Sequence, residues 1–426
     1  MNKTIFYKIL YGFACAITLL FVARTNTITH PDSLGYINAD LIRSFGYPMF
    51  LAIHKIIFGS QYLAVVSFSQ CLFILISAYI FTKTIEKHLI YNKLYVFLLF
   101  VILLVPIFFE TKVANSILSE GISYSLYLLF LSCFFEIVFT PNPKVKYFVI
   151  SVLLVFLLIN TRGQFLFLIP FLILILALKH YHKKIDTKKF YLLFVLIIVI
   201  PIISILTDKT YHKIKHNHFV STPWTGIQLA ALPFFLSQEE DATLFKNDTE
   251  KKYFLFVYKK IKKQKLLLSQ LNPDEYDYDF YAKNYTTICN TTLSEYGELF
   301  FKNDNALVRT VKNDKITIKI ALILLKQHPI KWGTFVVKNL YNGFYSISYF
   351  VTLIFLLFIS FAYYLKTKAK LFFVVAFLSL LVFLNLVLIA LVEPIIARYI
   401  FYNNWVFLVI ITFLIENSTQ KIKSCL

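Results

Sequence analysis

The chain has 426 residues, 58% of them hydrophobic and only 15% charged, with the apolar residues in long uninterrupted runs; this excludes an ordinary soluble fold and calls for lipid as the solvent of much of the surface. Its formal net charge of +20 would suggest nucleic acid in a soluble protein, but most lysines lie in short segments beside apolar runs, so no nucleic acid is expected and anionic head groups or lipid-linked phosphates are the natural partners. The five cysteines, Cys15, Cys71, Cys133, Cys289 and Cys425, form no CxxC pair, which leaves a disulfide framework and a cysteine metal site without support.

In chain order, a basic start and the apolar stretch 5–22, with no small-residue cleavage site, predict a first span over residues 5–23 that acts as an uncleaved anchor. Further spans are predicted over 62–82, 94–109, 114–139, 147–159, 165–178, 190–206, 347–365, 371–392 and 399–415. Several are near or below the roughly 20 residues a crossing needs. The two that flank Arg162 are read either as a re-entrant hairpin or as spans lengthened by less apolar flanks. The fold class expected is therefore all-α integral membrane, with about ten transmembrane helices. Lysines mark alternate connections: Lys83, Lys87 and Lys93; Lys144 and Lys146; the cluster from Lys179 to Lys189; Lys366, Lys368 and Lys370; and Lys3, Lys8, Lys421 and Lys423 at the termini. The opposite short loops carry little beyond Arg24, Arg43, Lys55, Lys112, Arg162 and Arg398. This alternation predicts an even span count, both termini cytoplasmic, and a multi-pass plasma (inner) membrane protein.

Three regions follow from this layout. Residues 1–206 form a membrane module that includes a first outer loop, 24–60, carrying surface helices. Residues 207–346 form a larger, mostly helical non-cytoplasmic domain, and residues 347–426 hold the last membrane helices. Within the outer domain, residues 250–271 are basic and amphipathic, with Phe254, Val257, Ile261 and Leu268 on one face. Such a stretch fits a helix lying on the membrane surface or an ordinary packed helix of a small domain.

The first outer loop holds the sharpest chemistry. Pro31, Asp32 and Ser33 signal a helix start, and Gly46 with Pro48 signals a stop. Asp32, Tyr36 and Asp40 then recur at helical spacing on one face, and Arg43, three residues after Asp40, is placed to pair with it. A carboxylate held beside apolar walls suits a general base; the plainer reading is a solvated helix cap. By the expected topology Glu120, Arg162, Glu393 and Arg398 all lie at the outer interface, level with Asp32. Ionisable groups there line a cavity, pair together or snorkel, and an arginine can grip a lipid phosphate bidentately. Asp277-Tyr278-Asp279 reads as a solvated loop, and His212, His216 and His218 as surface residues without a second ligand set. No Walker A, GxGxxG, HExxH or GxSxG motif occurs.

With those residues in hand, the chain resembles the GT-C superfamily of membrane glycosyltransferases that use polyprenyl-phosphate sugars, in particular bacterial members similar to protein O-mannosyltransferases and aminoarabinose transferases. The resemblance rests on Asp32 just after the first span, then Tyr36, then the Arg-x-x-Gly-Tyr-Pro-x-Phe stretch from Arg43 to Phe50. Ser119-Glu120-Gly121, Thr161-Arg162-Gly163, His328-Pro329, Glu393-Pro394 and Arg398-Tyr399 match more loosely. It implies that Asp32 deprotonates the acceptor hydroxyl, with inversion at the sugar. Tyr36, Arg43, Glu120, Arg162, Glu393, Arg398 and Tyr399 are then the substrate- and donor-binding candidates. The partners expected are the polyprenyl-phosphate sugar, the lipid bilayer, and a glycan, lipid or protein acceptor. No metal ligand is assigned; a divalent cation stays open because many family members carry a second acidic residue near the first, and here the nearest is Asp40. A surface-polysaccharide polymerase and a transporter or flippase of lipid-linked sugars are the rival expectations. The transporter sits less well with polar groups at the outer ends of the spans.

Overall fold

The structure, a computed structural model, describes residues 3–109 and 111–425, without the side chains of residues 3, 4 and 419–425, so those of Lys3, Lys421, Lys423 and Cys425 lie outside the described set. No strand occurs among the described residues. In chain order the helices are α1 (Lys3–Arg24), α2 (Pro31–Ile37), α3 (Gly46–Phe58), α4 (Tyr62–His88), α5 (Lys93–Phe108), α6 (Glu120–Phe139), α7 (Val145–Thr161), α8 (Leu168–Tyr181), α9 (Thr187–His216), α10 (Thr225–Leu236), α11 (Asp248–Lys263), α12 (Asp277–Thr286), α13 (Ala306–Gln327), α14 (Pro329–Gly343), α15 (Ile347–Thr367), α16 (Lys370–Ala390), α17 (Ala397–Ile400) and α18 (Trp405–Cys425). Eight helical stretches among the described residues are long and apolar enough to cross a membrane, whereas Lys93–Phe108 and Val145–Thr161 are apolar but shorter. The chain is thus an all-helical, multi-pass membrane protein.

Local chemistry marks the helix ends. Asn92 accepts the Leu94 N–H at the start of α5, Asp186 accepts the Lys189 N–H at the start of α9, and Asn305 accepts the Val308 N–H at the start of α13. Helix α9 stops at Asn217, which takes the left-handed conformation with φ 60°. The predicted fourth span starts late. Residues 114–119 are not helical: Ile117 donates to the Ile28 carbonyl and Ile28 to that of Asn115, so this segment lies alongside the start of the first loop.

The chain folds as two compact units, one of residues 1–217, 356–382 and 401–426, the other of 218–355 and 383–400. In the first unit, α4 packs against α6 through small residues. A Cβ at Gly121 would stand 2.7 Å from the Gln70 amide carbon and from the Val113 carbonyl oxygen, so only glycine allows the approach. Further along, Trp405 of α18 is 1% exposed and sits edge-on to Phe81 of α4 at 4.8 Å, with Phe135 of α6 6.5 Å from the indole and 5.6 Å from Phe81. All described cysteines are free thiols.

The second unit has its own core. Ala230, Ala231, Phe234 and Phe235 of α10 meet Ile320, Ala321 and Leu324 of α13. Asp314 accepts the Gly226 N–H at 2.6 Å, and Tyr253 donates to Asn313. Helix α11 resolves the amphipathic stretch: Phe254, Val257 and Ile261 are fully buried in this core. Its apolar face is covered by protein rather than lipid, because α10 and the aromatic residues around Phe245 and Phe300 supply matching surface.

Replacing Gly121 by valine should destabilise the protein by about 1–3 kcal/mol, the usual cost of overpacking a tight interface. Reversible unfolding of the reconstituted protein measures it, with Gly12→Ala, at a site with no atom within 4 Å of a new Cβ, as the neutral comparison.

Candidate functional site

The site in the first unit is built from α2 outward. Pro31 occupies the first turn of α2, where its missing N–H costs nothing, and the Ser33 hydroxyl accepts the His30 N–H at 2.8 Å. Ser33 in turn donates to the Ile117 carbonyl at 2.8 Å, which seats α2 against residues 114–119. Ser33, Gly35 and Tyr36 are buried while Leu34 is exposed, so α2 turns one face into the unit and the other outward. In α3, likewise, Tyr47 and Leu51 face inward while Ile53, Ile56 and Ile57 are exposed.

Helix α2 lasts only to Ile37. Ala39 takes the left-handed conformation, φ 55°, and turns the chain back on itself. Asp40 therefore leaves the helical face that the spacing assigned to it, and the expected Asp40–Arg43 ion pair is replaced. The Arg43 side chain returns across α2, its Nη2 donates to Asp32 Oδ1 at 2.8 Å, and its guanidinium lies 4.8 Å from the centre of the Tyr36 ring. Gly35 makes room for this path: a Cβ there would stand 2.8 Å from Arg43 Nε and 3.3 Å from Asp40 Oδ2. Asp40 still feels the cation. Burial raises its carboxyl above the ordinary range, while Arg43 and His216 pull it back down.

From Tyr36 the polar chain continues inward. Its hydroxyl shares a hydrogen bond with Ser119 at 3.3 Å, and its ring meets Tyr47 edge-on at 5.1 Å. Tyr47 donates to Gln70 Oε1 at 3.1 Å, and the Gln70 amide donates to the carbonyls of Ala114 and Ser116. Ser119 also accepts from Arg162 Nη1 at 3.3 Å, and that same nitrogen lies 2.7 Å from Glu120 Oε1. The four charged side chains grade in exposure from Glu120 at 1% through Arg162 at 11% and Arg43 at 21% to Asp32 at 33%. One end of the chain is thus a closed ion pair and the other a carboxylate that a solute can reach.

Glu393, Arg398 and Tyr399 belong to the second unit. Glu393 Oε2 accepts from Tyr399 at 3.2 Å and from the Gln228 amide at 3.3 Å, and the Arg398 guanidinium lies 5.7 Å from the Tyr399 ring centre. Asn339 holds this turn: it donates to the Glu393 carbonyl at 2.8 Å, and it accepts from Ile395 N–H and from Tyr278. A cavity of about 10 Å³ lies beside them, lined by Tyr281, Phe335 and Glu393 among others, room for about one water. Burial pushes the Tyr278 hydroxyl up to about 12, with Asp279 and Tyr276 adding to it. The eight residues singled out in the sequence therefore gather as two groups, five in the first unit and three in the second.

Two expectations need correcting. His212 is not a surface residue: it is fully buried, with Nε2 3.5 Å from Asp208 Oδ1, because it faces inward from α9. Asp277 and Asp279 open α12 rather than a solvated loop, and Asp277 pairs with Lys338 at 2.6 Å. Among the described residues no group of three or more His, Cys, Asp or Glu side chains is placed to hold a metal ion. Ser119 and Tyr47, which lie in the matched stretches, join the first site, as do Gln70 and Asp208, which no motif marks; the four-residue spacing of Ser204, Asp208, His212 and His216 is the signal available for the last of them.

Removing one partner of the closed pair should cost far more than removing one partner of the open pair. Arg162→Ala is expected to lower stability by about 3–5 kcal/mol, since it strands a buried carboxylate. Arg43→Ala should cost about 1 kcal/mol or less. Denaturant titration of the two purified variants decides, and comparable losses would contradict the exposure gradient.

No protein-family model matches this chain, and neither a curated protein nor a solved structure matches it, so the functional reading stands on the chain's own residues.

Proposed function

We propose that this protein is a GT-C type glycosyltransferase that moves a sugar from a polyprenyl phosphate to an acceptor hydroxyl on the non-cytoplasmic face of the plasma (inner) membrane. The observation that carries the reading is the Asp32–Arg43–Tyr36–Ser119–Arg162–Glu120 chain, which has its reachable carboxylate at one end. Asp32, the Glu120 end of α6 and the Arg162 end of α7 meet at the side that lysine-poor loops join, which supports an outward-facing site at the level of lipid phosphates. The Asp32 carboxylate takes the proton of the acceptor hydroxyl. The acceptor oxygen attacks the sugar C1 from the face opposite the phosphate, and the C1–O bond breaks with its electron pair leaving on the polyprenyl phosphate, so the anomeric centre inverts. An ion-paired carboxylate is a poorer proton acceptor. In the proposed cycle Arg43 turns from Asp32 to the donor phosphate, and the arriving donor frees its own base. Tyr36, beneath the guanidinium, keeps it in reach of both partners. Glu120 and Arg162 keep Ser119 and Tyr36 in place, and Glu393, Arg398 and Tyr399 are assigned to substrate binding.

Two experiments test this. Asp32→Asn keeps the shape of the residue and removes the base, so turnover of a polyprenyl-phosphate sugar by reconstituted protein should fall about 10²–10⁴-fold; Asp40→Asn should have a smaller effect. Near-normal turnover in Asp32→Asn would sink the assignment. For sidedness, reporter fusions after Lys189 should report cytoplasm and fusions near Asp274 the outside; the reverse at either position would put the site on the wrong face.

A further inference from the structure

Helix α9 carries a line of polar residues at four-residue spacing, Ser204, Asp208, His212 and His216, in a helix apolar enough to span a membrane. The first three are buried. Ionisable groups in such a helix are costly and persist where they do a specific task. Here they reach the loop that carries Arg43. Asp208 Oδ1 accepts the Phe45 N–H at 3.3 Å, and His212 Nε2 lies 3.5 Å from the same oxygen. One turn on, His216 Nε2 is 2.9 Å from the Ala39 carbonyl; a carbonyl only accepts, so this nitrogen bears the proton and donates. At the other end Ser204 accepts from Asn160 Nδ2 at 3.1 Å. Just past Phe45, Gly46 lies against the backbone of Asn160, where a Cβ would come within 2.7 Å of the Asn160 carbonyl oxygen. The Phe45 ring also packs on Tyr211 at 5.9 Å. The loop is thus held at Ala39 on one side of Arg43 and at Phe45 and Gly46 on the other.

We propose that this face of α9 is a clamp that fixes the backbone around Arg43, so that its side chain swings between Asp32 and the donor phosphate from a set point, with Asp208 and His216 as positioning residues and His212 orienting the Asp208 carboxylate. The clamp rests on the assignment of Asp32 as the base only for its effect on turnover; its effect on the loop is independent of that assignment. Arg43 has a long, flexible side chain, and a loop free to drift by an ångström would take its guanidinium out of reach of one partner or the other. Misplacement on that scale costs on the order of 10²-fold in rate.

The experiment pairs hydrogen–deuterium exchange of the full-length protein with turnover of a polyprenyl-phosphate sugar. Asp208→Ala removes the acceptor for Phe45 and Asp208→Asn retains one. His216→Ala removes the donor for Ala39, and His216→Gln retains one; residue 216 ends its helix, so these variants fold even if Asp208→Ala does not. Faster exchange across residues 39–46 in both alanine variants, restored towards wild type in Asp208→Asn and His216→Gln, is the expected result. It should come with a kcat lower by roughly 10–100-fold and a raised KM for the donor, since Arg43 also meets its phosphate, both again rescued by the conservative variants. Unchanged exchange in residues 39–46 of folded His216→Ala would overturn the clamp, as would faster exchange with wild-type kcat. A wild-type protein that transfers no sugar would instead overturn the glycosyltransferase reading, and the exchange data would still judge the clamp.

Discussion

Glu120 is a carboxylate with 1% of its side chain exposed, at the first turn of the mostly apolar helix α6. Moving such a group out of water costs several kcal/mol even after relaxation, and the fold must supply a partner at the right place or lose the helix start. Arg162 does so at 2.7 Å, from the turn after α7. Because Arg162 also reaches Ser119, and Ser119 reaches Tyr36, this one ion pair ties together the start of α6, the end of α7 and the short helix α2. The surrounding packing follows from it. Gly121 must stay small so that Gln70 can approach, and Gln70 then holds the non-helical residues 114–119 through their carbonyls. A buried charge in an apolar setting thus acts as a registration point for five chain segments.

The same arrangement separates two jobs that charged residues do. Deep in the unit, charge is neutralised completely and contributes position. Nearer solvent, at Asp32 and Arg43, the pair is open enough to exchange partners, as the proposed chemistry requires and a buried pair forbids. Glycine at position 35 belongs to this second job, for it allows a guanidinium to lie across a helix where any side chain would push it off.

Much of this was legible in the sequence and some was hidden for definable reasons. The apolar runs gave the helical membrane architecture directly, and Pro31, Asp32 and Ser33 marked the start of α2. The partner of Arg43 was misread because the three-residue rule assumes that the helix continues; Ala39, in a conformation more typical of glycine or asparagine, ends that assumption. Residues 114–119 read as the start of a span because Ala114, Ile117 and Leu118 adjoin the apolar run of α6, and hydropathy averaged over a window cannot tell a turn before a helix from its first turns. His212 looked like a surface residue among lysines because the span was taken to stop at residue 206, whereas α9 runs on to His216 and keeps turning the same face inward. For α11 the period showed a buried face but not what buries it, since lipid and protein ask for the same residues.

The slot that receives Trp405 bears on how the molecule is made. Phe81 and Phe135 belong to α4 and α6 and meet edge-on at 5.6 Å, while the indole that packs on both arrives with α18, more than 250 residues after Phe135. Neighbouring hairpins such as α4 with α5 and α6 with α7 can pair as soon as they are made, but the aromatic surface that α4 and α6 share is covered by the indole only once α18 has followed them, so this part of the core closes late in synthesis.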